Sequence, residues 1–140
     1  MLAPACQNSS STEPEFRLLY LGKDLKLMAA LRQLLPAPVY LLVTCSDPES
    51  AVLFHKSDIP YEVLLIDLEW RGKDGLEIAR LARKLRHRKR MPIVLLGNKL
   101  SRHTKANAAK AGVSKCLLKK GEFGEVIKRL TSADYADSAD

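Results

Sequence analysis

The sequence predicts an α/β fold, in which five strand–helix units build one parallel sheet covered by helices on both faces. Three observations predict it. Short apolar runs recur along the 140-residue chain, and each is followed by a stretch with apolar residues three and four apart. One run, Val63-Leu64-Leu65-Ile66, ends abruptly in a carboxylate, Asp67, and a loop ending in Gly72, Asp74 and Gly75 follows. In a parallel sheet, chemistry collects just beyond the carboxyl ends of the strands, so Asp67 is a candidate reactive group.

The elements follow in order. Phe16 to Leu21 reads as the first strand. A helix with Leu27, Leu31, Leu34 and Leu35 on one face comes next, stopped by Pro36 and Pro38. Val39 to Thr44 is the second strand, and Asp47-Pro48-Glu49 opens the second helix with an Asp cap and a first-turn proline. Val63 to Ile66 is the third strand. Asp74 and Glu77 have capping-box spacing ahead of a helix whose core face is Leu76, Ile78, Ala79, Leu81, Ala82 and Leu85. Ile93 to Leu96 is the fourth strand, and an Ala-rich helix runs from about Ser101 to Ala111, closed by Gly112 in the left-handed region. Cys116 to Leu118 is the fifth strand, and Phe123, Val126, Ile127 and Leu130 stripe the last helix. Residues 1–14 read as a disordered lead-in, 15–130 as one domain and 131–140 as an acidic tail or the start of a linker.

Composition narrows the function classes. No apolar run approaches the roughly 20 residues of a membrane span, and Met1 to Cys6 does not read as a signal peptide. Three cysteines without metal-ligand spacing argue against a disulfide framework, so a cytoplasmic chain with inert core thiols at Cys45 and Cys116 is expected. The net charge of +7 is concentrated between Arg80 and Lys105, including Arg86-His-Arg-Lys-Arg90. That run reads as a solvated helix end, with a nucleic-acid or acidic-partner surface as the sharper alternative. No dinucleotide fingerprint, phosphate loop or nucleophile elbow is present, and His55, His87 and His103 form no triad or metal pattern, so no enzyme is expected.

Over residues 16–130 the chain resembles the receiver domain of bacterial two-component response regulators. The combination carries the resemblance. Asp67 ends the third strand with Gly72, Asp74 and Gly75 after it, Pro92 opens Ile93-Val94-Leu95-Leu96, Ala111-Gly112 precedes the fifth strand, and Lys119 ends it. The resemblance implies a flavodoxin-like (CheY-like) doubly wound sheet of order 2-1-3-4-5. It implies a phosphoacceptor position at Asp67, served by a histidine kinase, and a phosphate-pairing position at Lys119. It further implies Mg²⁺ held by an acidic pair ending strand one, and a switch made of a Thr or Ser ending strand four and an aromatic on strand five.

The chain departs from that pattern in most supporting roles. Gly22 and Lys23 stand where the acidic pair belongs, and Asp24, one place on, is positioned to cap the first helix. A one-residue slip that brought Asp24 inward would flip the side chains of strand one. Gly97 stands at the switch hydroxyl's place, Cys116 at the aromatic's, and Lys120 replaces the proline after Lys119. With Lys23 pointing inward, Asp67 would face two ammonium groups and no second carboxylate, a poor site for a hard divalent ion.

The leading reading is therefore an atypical, or pseudo-, receiver that acts by protein–protein contact, with no cofactor. Its expected docking face is helix four, strand five and helix five, made basic by Lys105, Lys110, Lys115 and Lys128 and suited to an acidic partner or a second copy. The alternative is a working phosphoacceptor in a phosphorelay, with Mg²⁺ on Asp67 and either Asp24 or Glu69, although Glu69 reads more simply as a solvent-facing loop charge. A third reading is a nucleic-acid-associated module using Arg80 to Lys105, binding nonspecifically or through an attached domain. Trp70 either covers the pocket mouth or anchors a partner, or else packs on the adjacent loop.

Overall fold

Alternation along each strand decides which residues face which helices, because successive side chains point to opposite sides of a sheet. In the computed structural model, which describes residues 15–70, 72–120 and 123–131 (72–74 by backbone only), this alternation holds on all three central strands. The strands are β1 (Phe16–Leu21), β2 (Tyr40–Cys45), β3 (Val63–Asp67), β4 (Ile93–Gly97) and β5 (Lys115–Leu118). They form one parallel sheet in the order 2-1-3-4-5. The helices are α1 (Leu25–Leu34), α2 (Pro48–Lys56), α3 (Gly72–Lys84), α4 (Arg102–Ala111) and α5 (Phe123–Leu130), with a 3₁₀ turn at Arg86–Arg88.

One face of the sheet carries Leu18, Tyr20, Val63, Leu65, Val94 and Leu96, and α1 and α5 cover it with Leu27, Leu31, Phe123 and Ile127. The other carries Leu19, Leu21, Leu64, Ile66, Ile93 and Leu95, covered by α2, α3 and α4 through Ala51, Ile78, Ala79, Ala82 and Ala108. The small alanines let these helices lie close to the strands. Burial of both faces explains why the strands read as unbroken apolar runs.

The caps expected at Asp24 and Asp47 form, and Ser101 caps α4 as well. Asp24 accepts from the Leu27 amide at 3.1 Å, Asp47 from the Ser50 amide at 2.7 Å, and Ser101 from the Thr104 amide at 3.0 Å. Gly112 ends α4 at φ 96°, where a Cβ would also meet Arg83.

Several details differ from expectation. Strand β2 runs Tyr40–Cys45, one residue later, while β3 and β4 each extend one residue further and β5 begins one earlier. Helix α3 starts at Gly72, so Asp74 lies inside its first turn and is not the N-cap. Leu34 is 36% exposed. It lies over α5, with its Cδ1 2.6 Å from where a Cβ at Gly124 would stand. Cys116 is half-buried, so of these two Cys45 alone is a core thiol. Residues 1–14 and 132–140 lie outside the described residues, and Thr131, assigned to the tail, is buried against α5. Among the described residues, no helix is long and apolar enough to cross a membrane.

The basic run is the largest correction. Arg88 is 2% exposed, so this part of Arg86–Arg90 is not a solvated end. Its guanidinium donates to the carbonyls of Phe54, His55 and Ser57, which close α2, and stacks 5.1 Å from the centre of the Tyr61 ring. A cation here satisfies the orphan carbonyls and the negative end of a neighbouring helix. His87 sits beside it, with Nε2 2.8 Å from the Ser57 carbonyl oxygen. We expect Arg88→Ala to destabilise the fold by about 3 kcal/mol and exposed Arg90→Ala by under about 0.5 kcal/mol, read by urea denaturation. Equal effects would show that Arg88 makes no structural contribution.

His55 lies in the same cluster, 1% exposed, with Nδ1 2.8 Å from the Ala51 carbonyl and Nε2 without a partner. Burial holds its pKa below the usual 6.5, and the charges of Arg88 and His87 add to this. Above pH 6.5 the ring is neutral in both folded and unfolded chains, and its contribution to stability is complete. As pH falls below that value, the unfolded chain takes up the proton first and stability is lost. Denaturation midpoints measured from pH 7.5 to 5 should fall in the native chain and fall less in His55→Phe, whereas parallel curves would exclude His55 as the source.

Candidate functional site

The side chains that matter lie at the carboxyl ends of β1, β3 and β5, all directed toward the α1/α5 face. Asp67 is 2% exposed. Its Oδ2 accepts from the Tyr20 hydroxyl at 2.6 Å, and its Oδ1 accepts from the Glu69 amide at 2.9 Å and lies 2.8 Å from Lys119 Nζ. Lys119 follows β5, and its backbone N–H extends the ladder to the Gly97 carbonyl. Its ammonium also reaches Asp24 Oδ2 at 3.0 Å and Glu69 Oε1 at 2.8 Å. Three carboxylates, from the loop after β1, the end of β3 and the loop that follows it, therefore converge on one ammonium.

The electrostatics follow from that geometry. Burial disfavours a charged Lys119, but hydrogen bonds to Asp67, Glu69 and Asp24 outweigh it and hold the ammonium above its usual range. The Lys119 bond, helped by the Leu27 amide, holds the Asp24 carboxyl below the ordinary carboxylate range. Burial pushes the Tyr20 phenol far upward, and the bond to Asp67 adds to this, which keeps Tyr20 a donor at neutral pH.

Asp24 thus has two tasks without any slip of strand one. Oδ1 caps α1 while Oδ2 reaches into the site. Glu69 is 40% exposed at its side chain, yet it pairs with Lys119, and the Asn98 N–H lies 3.3 Å from each of its oxygens. The reading of Glu69 as a plain solvent-facing charge is corrected. Lys23 is exposed at the cleft's edge, and the ammonium on Asp67 is that of Lys119. The cleft, about 390 Å³, is lined by Lys23, Asp24, Asp67, Glu69, Trp70, Asn98 and Lys119. Its three carboxylates correct the expectation of one.

Tyr20 is the residue that sequence reasoning missed. It lies within Phe16 to Leu21, which the sequence marks only as a strand. A buried phenol needs a hydrogen-bond partner, and that requirement was the available signal. Gly22, two residues on, faces the same side. A Cβ there would lie 2.5 Å from the Tyr20 hydroxyl oxygen and 2.7 Å from Asp67 Cβ. The tyrosine ring therefore fills the space that a side chain at position 22 would take. At the switch position, a Cβ on Gly97 would meet Leu68 at 2.9 Å and Leu100 at 3.4 Å. Cys116 lies beyond, in a groove on the α4–β5–α5 face with Leu100, Leu118 and Phe123. Trp70 is 4% exposed, packs on the α2–α4 side and donates from Nε1 to the Ser46 carbonyl at 3.0 Å, which fits the packing alternative.

The resemblance implies Mg²⁺ at this site. The oxygen donors Asp24, Asp67 and Glu69 do converge, but their meeting point holds the Lys119 ammonium. Among the described residues, no acidic, His or Cys group of three or more is arranged to hold a metal ion. As folded, the donor set does not fit a divalent cation, which would have to displace Lys119.

A family profile described as the response regulator receiver domain matches residues 23–131. Solved structures with the same fold include the signal receiver domain of a DNA-binding response regulator (merR) from Colwellia psychrerythraea 34H. That match has 21% identity and a TM-score of 0.68, and covers 82% of this chain and 97% of that one. The receiver domain of sensor histidine kinase PA1611 from Pseudomonas aeruginosa PAO1, with a magnesium ion coordinated in its active-site cleft, gives 21% identity and a TM-score of 0.68 over 82% and 93% of the two chains. Chemotaxis protein CheY4 of Vibrio cholerae gives 19% and 0.69 over 82% and 95%. At these identities the structures speak for the fold alone. No curated protein matches the chain in sequence.

The shared space of Tyr20 and Gly22 is open to a double-mutant cycle. Gly22→Ala should cost about 1–3 kcal/mol by overpacking, and much less when Tyr20→Leu has already vacated the volume. Additive costs in urea denaturation would show that the two positions do not compete.

Proposed function

We propose that this chain, which belongs to the response regulator receiver domain family, is a constitutive protein-interaction receiver in which phosphorylation of Asp67 is lost or vestigial. One observation carries the reading: every polar atom a phosphoryl group would need is already engaged inside the protein. For Asp67 to attack phosphorus, a carboxylate oxygen must offer a free lone pair along the line of approach. Tyr20 takes one lone pair of Oδ2, and Lys119 with the Glu69 amide takes both of Oδ1, so attack would have to use the second lone pair of the oxygen that Tyr20 already holds. An ammonium has three N–H donors, and those of Lys119 are matched by three carboxylates. Gly97 brings no hydroxyl, and the space beside it is filled by Leu68 and Leu100.

Output on this reading depends on a fixed surface. The α4–β5–α5 face holds an apolar groove of about 420 Å³ with Lys105 and Lys120 at its edge, and exposed Lys110 and Lys115 extend the positive charge. That chemistry suits an acidic protein partner presenting an apolar residue, with recognition weakened by salt.

A second reading, a working phosphoacceptor, draws on one feature. If Lys119 withdrew, Asp24, Asp67 and Glu69 would leave three oxygen donors around one point. Acetyl phosphate with millimolar Mg²⁺ separates the two. On intact mass spectrometry, the native chain should gain no phosphoryl group, and its amide spectrum should not change at Asp67, Gly97 or Lys119. A phosphoryl adduct that disappears in Asp67→Asn would establish the phosphoacceptor instead.

A further inference from the structure

We propose that Glu69 is a resident stand-in for a phosphoryl group, seated in an anion site that joins the ends of β3, β4 and β5. The inference rests on the reading that Asp67 itself remains unmodified. The seat has two donors, each just past the end of a different strand: Lys119 Nζ, 2.8 Å from Glu69 Oε1, and the Asn98 N–H, with its nitrogen 3.3 Å from both carboxylate oxygens. An anion carried on Asp67 Oδ1 would start 2.8 Å from the Lys119 ammonium, the donor that Glu69 itself uses.

The turn after β3 places the carboxylate there. The Trp70 N–H donates to the Asp67 carbonyl at 3.1 Å, and the Glu69 N–H to Asp67 Oδ1 at 2.9 Å, so the chain folds back over its own aspartate. Trp70 fixes the turn by burying its indole and donating to Ser46. Glu69 then extends across the cleft mouth to Asn98, the first residue after β4.

The chemistry of the seat selects an anion and explains why a carboxylate fills it. An ammonium and a backbone N–H both donate, and a carboxylate offers two charged acceptor oxygens, as a phosphoryl group offers three. With Glu69 in place, the cleft holds three carboxylates against the ammoniums of Lys119 and Lys23, so an incoming anion meets net repulsion.

The seat also connects to the partner face. Asn98 stands two residues before Leu100, which packs beside Gly97 and lines the α4–β5–α5 groove, and Ser101 then caps α4. By holding Asn98, Glu69 holds the start of α4 in one position with no covalent event at Asp67.

The test is chemical rescue on the full chain, followed by amide NMR. In Glu69→Ala, the Asn98 and Lys119 amides should shift, with the change spreading to Leu100 and Ser101. Added formate should return Asn98 saturably toward its native position, with a dissociation constant on the order of 10 mM, as suits a few charge-assisted hydrogen bonds. Glu69→Gln still fills the seat without charge, and it should ignore formate, as should the native chain. Shifts confined to residues 68–70, or an Asn98 amide indifferent to formate in Glu69→Ala, would overturn the proposal and leave Glu69 a surface charge. Phosphorylation of the native Asp67 would instead sink the reading on which it rests, whatever Glu69→Ala does.

Discussion

The ammonium of Lys119, buried among Asp24, Asp67 and Glu69, is the interaction on which the rest of the site depends. Its side chain is 7% exposed, and Asp67's is 3% exposed. Removing an ammonium and a carboxylate from water costs several kcal/mol each, and a single pairing seldom recovers it unless hydrogen bonds satisfy the remaining lone pairs and protons. Here most of them are. Two further carboxylates complete the ammonium, and the Tyr20 hydroxyl and Glu69 amide add two bonds to Asp67 beside that of Lys119. Such a network resists rearrangement, because any rearrangement must first leave a buried charge unpaired.

Two glycines show how the apolar structure around that network was refilled. Gly22 and Gly97 sit at the carboxyl ends of β1 and β4, where the receiver pattern places an acidic residue and a hydroxyl. Neither leaves a hole. Tyr20 grows into the first space from within its own strand, and Leu68 and Leu100 grow into the second from the flanking loops. Protein interiors hold their density, so losing a side chain at one position is matched by a larger or differently aimed one nearby. A hydroxyl that donates to Asp67 and accepts from the Asp24 amide, and two leucines that donate nothing, occupy places where a metal ligand and a phosphate-binding hydroxyl would otherwise stand.

The fold was legible because its signals are local. Unbroken apolar runs marked strands covered on both faces, and the caps at Asp24, Asp47 and Gly112 depend on only a few neighbouring residues. Strand ends shifted by one residue because pairing partners decide them, as with the Leu64–Ile93 register that carries β3 on to Asp67 opposite Leu96. The positions of Asp67 and Lys119 were legible too, through their spacing. What the sequence hid was reach. Glu69 crosses from one loop to the amide of another, 29 residues away. Tyr20 meets Asp67 across 47 residues, and Lys119 meets Asp24 across 95. No periodicity encodes such contacts. Arg88 was hidden differently, since its neighbours in the basic run are exposed and only its carbonyl partners on α2 distinguish it.

The same reach changes the meaning of the net charge. A value of +7 invites a search for an acidic partner, yet some of the cations behind it work inside the protein. Lys119 balances the carboxylate cluster, and Arg88 closes α2. Arg83 donates to the carbonyls of Gly112, Lys89 and Met91 and to the Ser114 hydroxyl, tying α3 to the turn before β5. A cation bonded to carbonyls keeps its net charge, but its donors are taken within the fold and it has little left to offer in direct contact. Contact with the proposed partner would therefore depend on exposed lysines such as Lys105, Lys110, Lys115 and Lys120, which lie on or beside the α4–β5–α5 face. Substitutions of those lysines should alter association rates and salt sensitivity, whereas substitutions of Arg83 or Arg88 should alter the fold, although all of them count equally in the sequence.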